Sequence, residues 1–213
     1  GGLAYNTDIF ADDTAVQFHR RFAALLASLQ ARPEVAVGDL DLYSPEDRAS
    51  LDAWNRTQAE PSDASTLHGL LQAQARRTPE RVALRFGEAT LSYAGLDARS
   101  NRIARVLHDR GVRPGDLVGI CLDRGLDLVA AMIGVLKAGA GYVPLDPGYP
   151  PARLHFIAED AGLALIVTEE EPARSLDWPQ ERRLLLDQES DRIAAAPAES
   201  PAVEGVGPES VAY

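Results

Sequence analysis

The residues of this chain with a capacity for chemistry are few and scattered. Gly139-Ala140-Gly141 opens a G-x-G pattern of the kind that lets a backbone wrap a pyrophosphate. The third glycine of that fingerprint would stand where the chain has Pro144. The pattern also follows a helical run, whereas phosphate binding needs a strand before it and a helix N-terminus after it. Gly139 therefore reads as a helix-ending glycine and Gly141 as a point of close backbone approach. Lys137, the only lysine, could meet a phosphate. The favoured reading is a cation in the last turn of a helix, worth about 0.3–1 kcal/mol against the macrodipole. His19, His68, His108 and His155 stand far apart without metal-ligand spacing and read as helix-surface residues. Cys121 sits in an apolar run, where a thiolate is disfavoured, and reads as a small hydrophobe. Glu169-Glu170-Glu171 and Asp12-Asp13 read as solvated loops and caps.

Asp123-Arg124-Gly125 is the more informative group. It follows an apolar strand, on the edge where doubly wound sheets place ligands. Its simpler reading is a tight strand-to-helix turn capped by Asp127. Pro144-Leu145-Asp146-Pro147-Gly148-Tyr149-Pro150 is stiffened by its prolines and forms a shaped loop. These residues make no catalytic constellation, and no catalytic, cofactor-binding or metal-binding residue is assigned.

The composition fits a globular protein, with 213 residues, 46% hydrophobic and 25% charged. A net charge of -11 argues against nucleic acid, which requires clustered cations. The longest apolar run, Leu128 to Leu136, falls short of the ~20 residues of a membrane span. There is no secretory signal at Gly1-Gly2-Leu3, and the single cysteine excludes an internal disulfide, so a cytoplasmic location is expected.

Residues 1–10 alternate as a strand would. Phe18, Phe22, Leu25, Leu26 and Leu29 then form one helical stripe, capped by Asp12 or Asp13 and ended by Pro33. Ser44-Pro45-Glu46-Asp47 signals a helix start, with Leu51 and Trp54 as anchors. Residues 57–63 read as loop. From position 65, helices and strands alternate. A helix ends near Thr78-Pro79, a hairpin turns at Gly87-Glu88, and a helix spans 93–110. A strand over 117–122, buried on both faces, is followed by helix 126–138, helix 150–160 and strand 163–168. A short strand is expected at 184–186 and loose loop over 194–208. This order implies right-handed crossovers onto a mostly parallel sheet.

Leu136-Lys137-Ala138-Gly139-Ala140-Gly141-Tyr142-Val143-Pro144-Leu145-Asp146-Pro147 resembles the second core motif of adenylation domains in nonribosomal peptide synthetases. Leu91-Ser92-Tyr93-Ala94-Gly95-Leu96 resembles the first, in the right order and spacing. Residues 2–10 look like the last strand of a condensation domain, followed by its terminal helix. Leu40 to Asn55, with Trp54-Asn55, is similar to the condensation–adenylation linker. Gly141 stands where the family often has Ala, a minor departure.

The resemblance implies an α/β fold: part of an adenylate-forming N-terminal subdomain with a mostly parallel sheet and flanking helices, preceded by a strand-helix condensation remnant. The implied boundaries are 1–31 for that remnant, 32–63 for the linker and 64–213 for the adenylation portion. It implies ATP and Mg2+ in the intact adenylation domain and phosphopantetheine on a carrier domain. Partners would be the upstream condensation domain, downstream adenylation and carrier domains, and an amino acid, with neither nucleic acid nor membrane. Tyr213 falls about where the family's phosphate loop would begin, so the chain is expected to be a piece without activity of its own. An interdomain scaffold is the alternative. An acyl-CoA or aryl-acid ligase would share the two motifs but not Tyr5-Asn6-Thr7-Asp8.

Overall fold

Helix α1 (Asp12–Ala31) begins after Ala11, which makes no side-chain cap. Asp12 and Asp13 stand in its first turn, where carboxylates favour the positive helix end, and are not the expected caps. The computed structural model describes residues 2–58, 66–174, 176 and 178–213. The chain divides into two compact units, 1–60 and 61–213.

In the first unit the strand expected over residues 1–10 does not form. The amides of Ile9 and Phe10 both donate to the Asn6 carbonyl, at 3.2 and 3.0 Å, and make a turn. Alternation yields a strand only where a second segment pairs with its backbone, and none among the described residues does so. The α1 stripe does form, but Phe18, Phe22, Leu26 and Leu29 remain 44–59% exposed. Helix α2 (Pro45–Trp54) carries the expected start: Ser44 Oγ accepts from the Asp47 amide while Asp47 accepts from the Ser44 amide. Arg21 of α1 reaches Asp47 at 3.0 Å and joins the two helices. Leu51 and Trp54, expected as anchors, are instead exposed. The loop expected over 57–63 lies mostly outside the described residues.

The second unit is an α/β layer structure. Helix α3 (Leu67–Arg77) is capped by Thr66, and strands β1 (Val82–Phe86) and β2 (Ala89–Ser92) make the expected antiparallel hairpin. Gly87 turns it with φ +57, a left-handed conformation that glycine adopts without strain. Helix α4 (Tyr93–Asp109) leads to strand β3 (Leu117–Cys121), helix α5 (Leu126–Lys137) and strand β4 (Gly141–Pro144). Helix α6 (Pro151–Asp160), strand β5 (Leu165–Thr168), helix α7 (Glu170–Ala173), strand β6 (Arg183–Leu185) and helix α8 (Ser190–Ala195) follow.

Strands β3–β6 form a parallel sheet in the order β4-β3-β5-β6. Strand β4 was not legible, being four residues long and ending in a proline. That residue is tolerated because β4 lies outermost in the sheet. There the Tyr142 amide donates to the Ala212 carbonyl at 2.9 Å, and the Tyr142 and Tyr213 rings stack.

Alternate β3 side chains divide between two cores. Val118 and Ile120 pack with Leu165, Val167 and Leu184 beneath α4 and α5. Cys121 packs with Ile166, Leu154 and Ala158 beneath α6. Both faces are thus covered, as a buried parallel sheet requires. Helices α4 and α5 pack at close range because Gly134 leaves no room for more: a Cβ there would lie 2.8 Å from Ile103 Cγ2.

Lys137 stands in the last turn of α5, as the favoured reading expects, but not at the surface. It is 3% exposed, and its Nζ donates to Asp97 Oδ1 (2.6 Å), Asn101 Oδ1 (2.7 Å), Ser100 Oγ (2.8 Å) and the Asp97 carbonyl (3.1 Å). Burial pushes its ammonium below the usual value while Asp97 pulls the other way. Four acceptors around one Nζ favour the charged form.

Replacing Lys137 strands buried acceptors on α4, which costs more than the pair itself contributes. Because Asp97 is partly exposed, Lys137→Met should lower unfolding free energy by about 2–3 kcal/mol in urea titrations followed by circular dichroism. A loss below about 0.5 kcal/mol would remove the network from the account.

Hydrogen bonds from Arg21 and then from the Ser44 amide hold the Asp47 carboxyl at about 2, below its ordinary 3.8. A depressed carboxyl stabilises the fold above its unfolded value, and that contribution is lost as pH falls through the folded one. The Arg21–Asp47 contact should therefore persist at pH 4 and disappear around pH 2 in a side-chain NMR titration. A midpoint near 3.8 would refute it.

Candidate functional site

The chain order places the C-terminal end of β3 at a reversal. β4 lies on one side of β3 and β5, reached through α6, on the other. The connecting helices cover opposite faces, so a crevice opens above β3 where the connections part. Its volume is about 630 Å3, and its walls are the β3–α5 turn, with Asp123 and Arg124, and the β4–α6 loop, with Pro144, Asp146 and Tyr149.

The β4–α6 loop is held as its prolines suggested. Asp146 Oδ1 accepts from the Gly148 amide at 2.9 Å, and the Tyr149 amide donates to the Asp146 carbonyl at 2.9 Å. The Arg153 guanidinium lies over the Tyr149 ring, 4.2 Å from its centroid, and fixes that ring at the crevice mouth. The Leu145 amide donates to the Ile120 carbonyl and ties the loop to the end of β3.

On the opposite wall Gly125 is the N-cap of α5 and supplies no side chain. The Asp127 cap expected from the sequence is not made, and Asp127 pairs instead with Arg99 of α4. Asp123 and Arg124 are left exposed over the crevice.

Two carboxylates, Asp123 and Asp146, and one guanidinium, Arg124, line the crevice. Burial first, then Asp187, Asp127 and Asp123, raise the Glu169 carboxyl above its usual value. Burial first, then Asp123 and Asp146, push the Cys121 thiol up to about 11. Glu169 is thus half-buried and electrostatically coupled to the site rim, a correction to its reading as solvated surface; Glu170 and Glu171 are exposed.

The remaining candidates lie elsewhere. Gly139 ends α5 at φ +82, where a Cβ would meet Val206 at 2.9 Å, and Gly141 begins β4 against Leu117 and Val211. This agrees with their reading as cap and close approach. His19 is exposed on α1 and His155 contacts the Trp178 ring edge on. His68 is half-buried at the start of α3, its pKa lowered by burial and by Lys137. His108 is not a simple surface residue, for its Nε2 is buried. No group of three or more His, Cys, Asp or Glu among the described residues is placed to hold a metal ion, and no helix among them is long and apolar enough to cross a membrane.

Sequence reasoning missed the acceptors of Lys137. Their signal was present: Asp97, Ser100 and Asn101 are polar at i, i+3 and i+4 on a helix whose apolar residues include Leu96 and Ile103.

A doubly wound parallel sheet with a crevice at its switch point defines a ligand-binding α/β subdomain. Residues 71–213 match the family model of the AMP-binding enzyme. The chain belongs to this family. It is 38% identical over 169 residues to tyrocidine synthase 3 of Brevibacillus parabrevis, covering 79% of this chain and 3% of that protein. It is 34% identical over 193 residues to bacitracin synthase 1 of Bacillus licheniformis, covering 90% and 4%. It superposes on the AMPPNP-bound form of the nonribosomal peptide synthetase FmoA3 with a TM-score of 0.67 and 33% identity, covering 96% of this chain and 22% of that one. The similarity to nonribosomal peptide synthetases expected from the two core motifs is borne out. The chain spans only 3% and 4% of the length of these two curated relatives.

With a thiol at about 11 and no exposed surface, Cys121 should resist alkylation by iodoacetamide at pH 8 in the folded protein and react fully in 6–8 M urea, which unfolds small domains. Mass spectrometry of the adduct checks this, and rapid labelling in the native state would contradict it.

Proposed function

We propose that residues 64–213 are the N-terminal portion of an adenylation domain in a nonribosomal peptide synthetase. In this reading residues 1–31 are the end of a condensation domain and 32–63 the linker between the two. The parent protein activates an amino acid with ATP as its aminoacyl adenylate and passes the acyl group to a phosphopantetheine thiol on a carrier domain. A cytoplasmic enzyme with its partner domains in one polypeptide is part of the proposal. The observation that carries it is the match over 71–213 to the AMP-binding enzyme, within which the Leu136–Pro147 motif runs through the end of α5, β4 and one wall of the crevice.

The described residues do not by themselves fit a nucleoside triphosphate with its metal. Asp123 and Asp146 line the crevice with a single cation, Arg124, and no group of three or more His, Cys, Asp or Glu among the described residues is placed to hold a metal ion. No phosphate is routed through these residues. Their contribution is to shape and support the crevice: the proline loop fixes one wall, and Asp123 and Arg124 edge the other. The amino acid selected is not specified by any residue identified in the crevice. A non-catalytic scaffold remains the second reading, favoured by the exposed apolar stripe of α1.

The reading frame past Tyr213 tests this. It should encode a Thr/Ser/Gly-rich phosphate loop within about a dozen codons, and the extended protein should catalyse amino-acid-dependent exchange of pyrophosphate into ATP. The 213-residue chain should remain at the no-enzyme blank. An immediate stop codon, or an extended protein without exchange, would favour the scaffold. Exchange by the 213-residue chain would overturn the assignment of catalysis to residues beyond it.

A further inference from the structure

A second cleft, of about 450 Å3, lies between the C-terminal half of α4 and the chain from α8 to Ala202. It stands at the end of the sheet where the strands begin, since Arg110 at the close of α4 donates to the carbonyl of Arg183, the first residue of β6. Nothing in the adenylate chemistry proposed above calls on it.

Arg105 and His108, one turn apart on α4, line one wall, and Arg192 of α8 lines the other. Arg105 Nε and His108 Nε2 are buried without a hydrogen-bond partner. Buried polar atoms are normally paired, and the terminal nitrogens of Arg105, which are neither buried nor hydrogen-bonded among the described residues, are the donors open to an acceptor from outside the chain. The Arg105 guanidinium pairs with no carboxylate among the described residues.

The local charge points the same way. Glu189 accepts from Arg110 at 2.5 and 2.6 Å and from Arg192 at 3.1 Å, so one carboxylate answers two guanidinium groups. Asp109, on the rim, offsets one further charge. Three guanidinium groups against two carboxylates leave a surplus cation in a chain whose net charge is -11. A guanidinium fork matches carboxylate and phosphate alike, but donors on two walls can answer the three terminal oxygens of a phosphate monoester, where a carboxylate has two. Beside them Ala196, Pro197 and Pro201 offer apolar surface.

We propose that this cleft binds a small phosphate monoester, its phosphate held by Arg105, His108 and Arg192 and its apolar body set against the proline-rich segment that follows α8. The proposal is independent of the adenylation reading, since it uses none of the residues of the crevice above β3.

Titration of the 213-residue chain with phenyl phosphate at constant ionic strength tests it. Amide resonances of residues 105–109 and 192–202 should shift in 15N NMR spectra. Inorganic phosphate should compete, and benzoate should bind at least about tenfold more weakly, because it is planar and singly charged. Arg105→Gln should weaken phenyl phosphate about tenfold, the loss of one charge-assisted bond. His108→Gln, which keeps an N–H donor, should cost less than Arg105→Gln. Arg192→Gln, at an exposed site, gives a second variant should Arg105→Gln fail to fold. Shifts absent or spread over the molecule, benzoate binding as well as phenyl phosphate, or affinity unchanged in a folded variant of either arginine would overturn the site.

Discussion

The second unit depends on one interaction, the buried Lys137 ammonium shared among Asp97, Ser100 and Asn101. Helix α5 is apolar almost throughout, and the close approach allowed by Gly134 would accept more than one register against α4 on hydrophobic grounds alone. A charged group with four acceptors permits one register, because any slip leaves a buried cation and several acceptors unpaired. Asn101 extends the constraint by donating to Asp97 Oδ2 at 3.2 Å and to the Ala198 carbonyl at 2.7 Å, tying the segment after α8 to α4.

From that fixed pair the rest follows by packing. With α4 and α5 set, Val118 and Ile120 are buried on one face of β3, and Gly119 leaves space on the other for Leu163 and Leu145. A Cβ at Gly119 would lie 2.7 Å from Leu163, so α6 and the β4–α6 loop close on β3 as tightly as that glycine allows. The crevice at the sheet edge is a consequence of this order. Its walls are the loops that leave β3 and β4, and the loop after β4 is stiffened by prolines and by Asp146.

The acidic edge has a physical meaning for the family assignment. Burial and then neighbouring carboxylates raise the proton affinity of Glu169, and on the crevice itself Asp123 and Asp146 stand against the one guanidinium of Arg124, so bound phosphate calls for further countercharge. The match to the AMP-binding enzyme and the negative edge are compatible when the phosphate-binding groups belong to other parts of the parent protein, as proposed.

The sequence by itself determined the element order, the parallel-sheet class and the family. Periodicity marks α4, α5 and β3, capping chemistry marks α2, and the Leu136–Pro147 motif is specific. Element position was legible because each of these signals is local. Strand β4 and helix α7 were hidden by their length and their prolines, and α8 by its length alone. The strand expected at the start failed because alternation says nothing about a partner. Lys137 shows the limit most plainly: sequence reads it as a helix-end cation, and only the tertiary structure decides that it is buried. Its acceptors lie some forty positions away, and helix packing brings them within 2.6–3.1 Å. The same holds for Arg105, His108 and Arg192, whose meeting across a cleft is a property of the fold and of no local pattern.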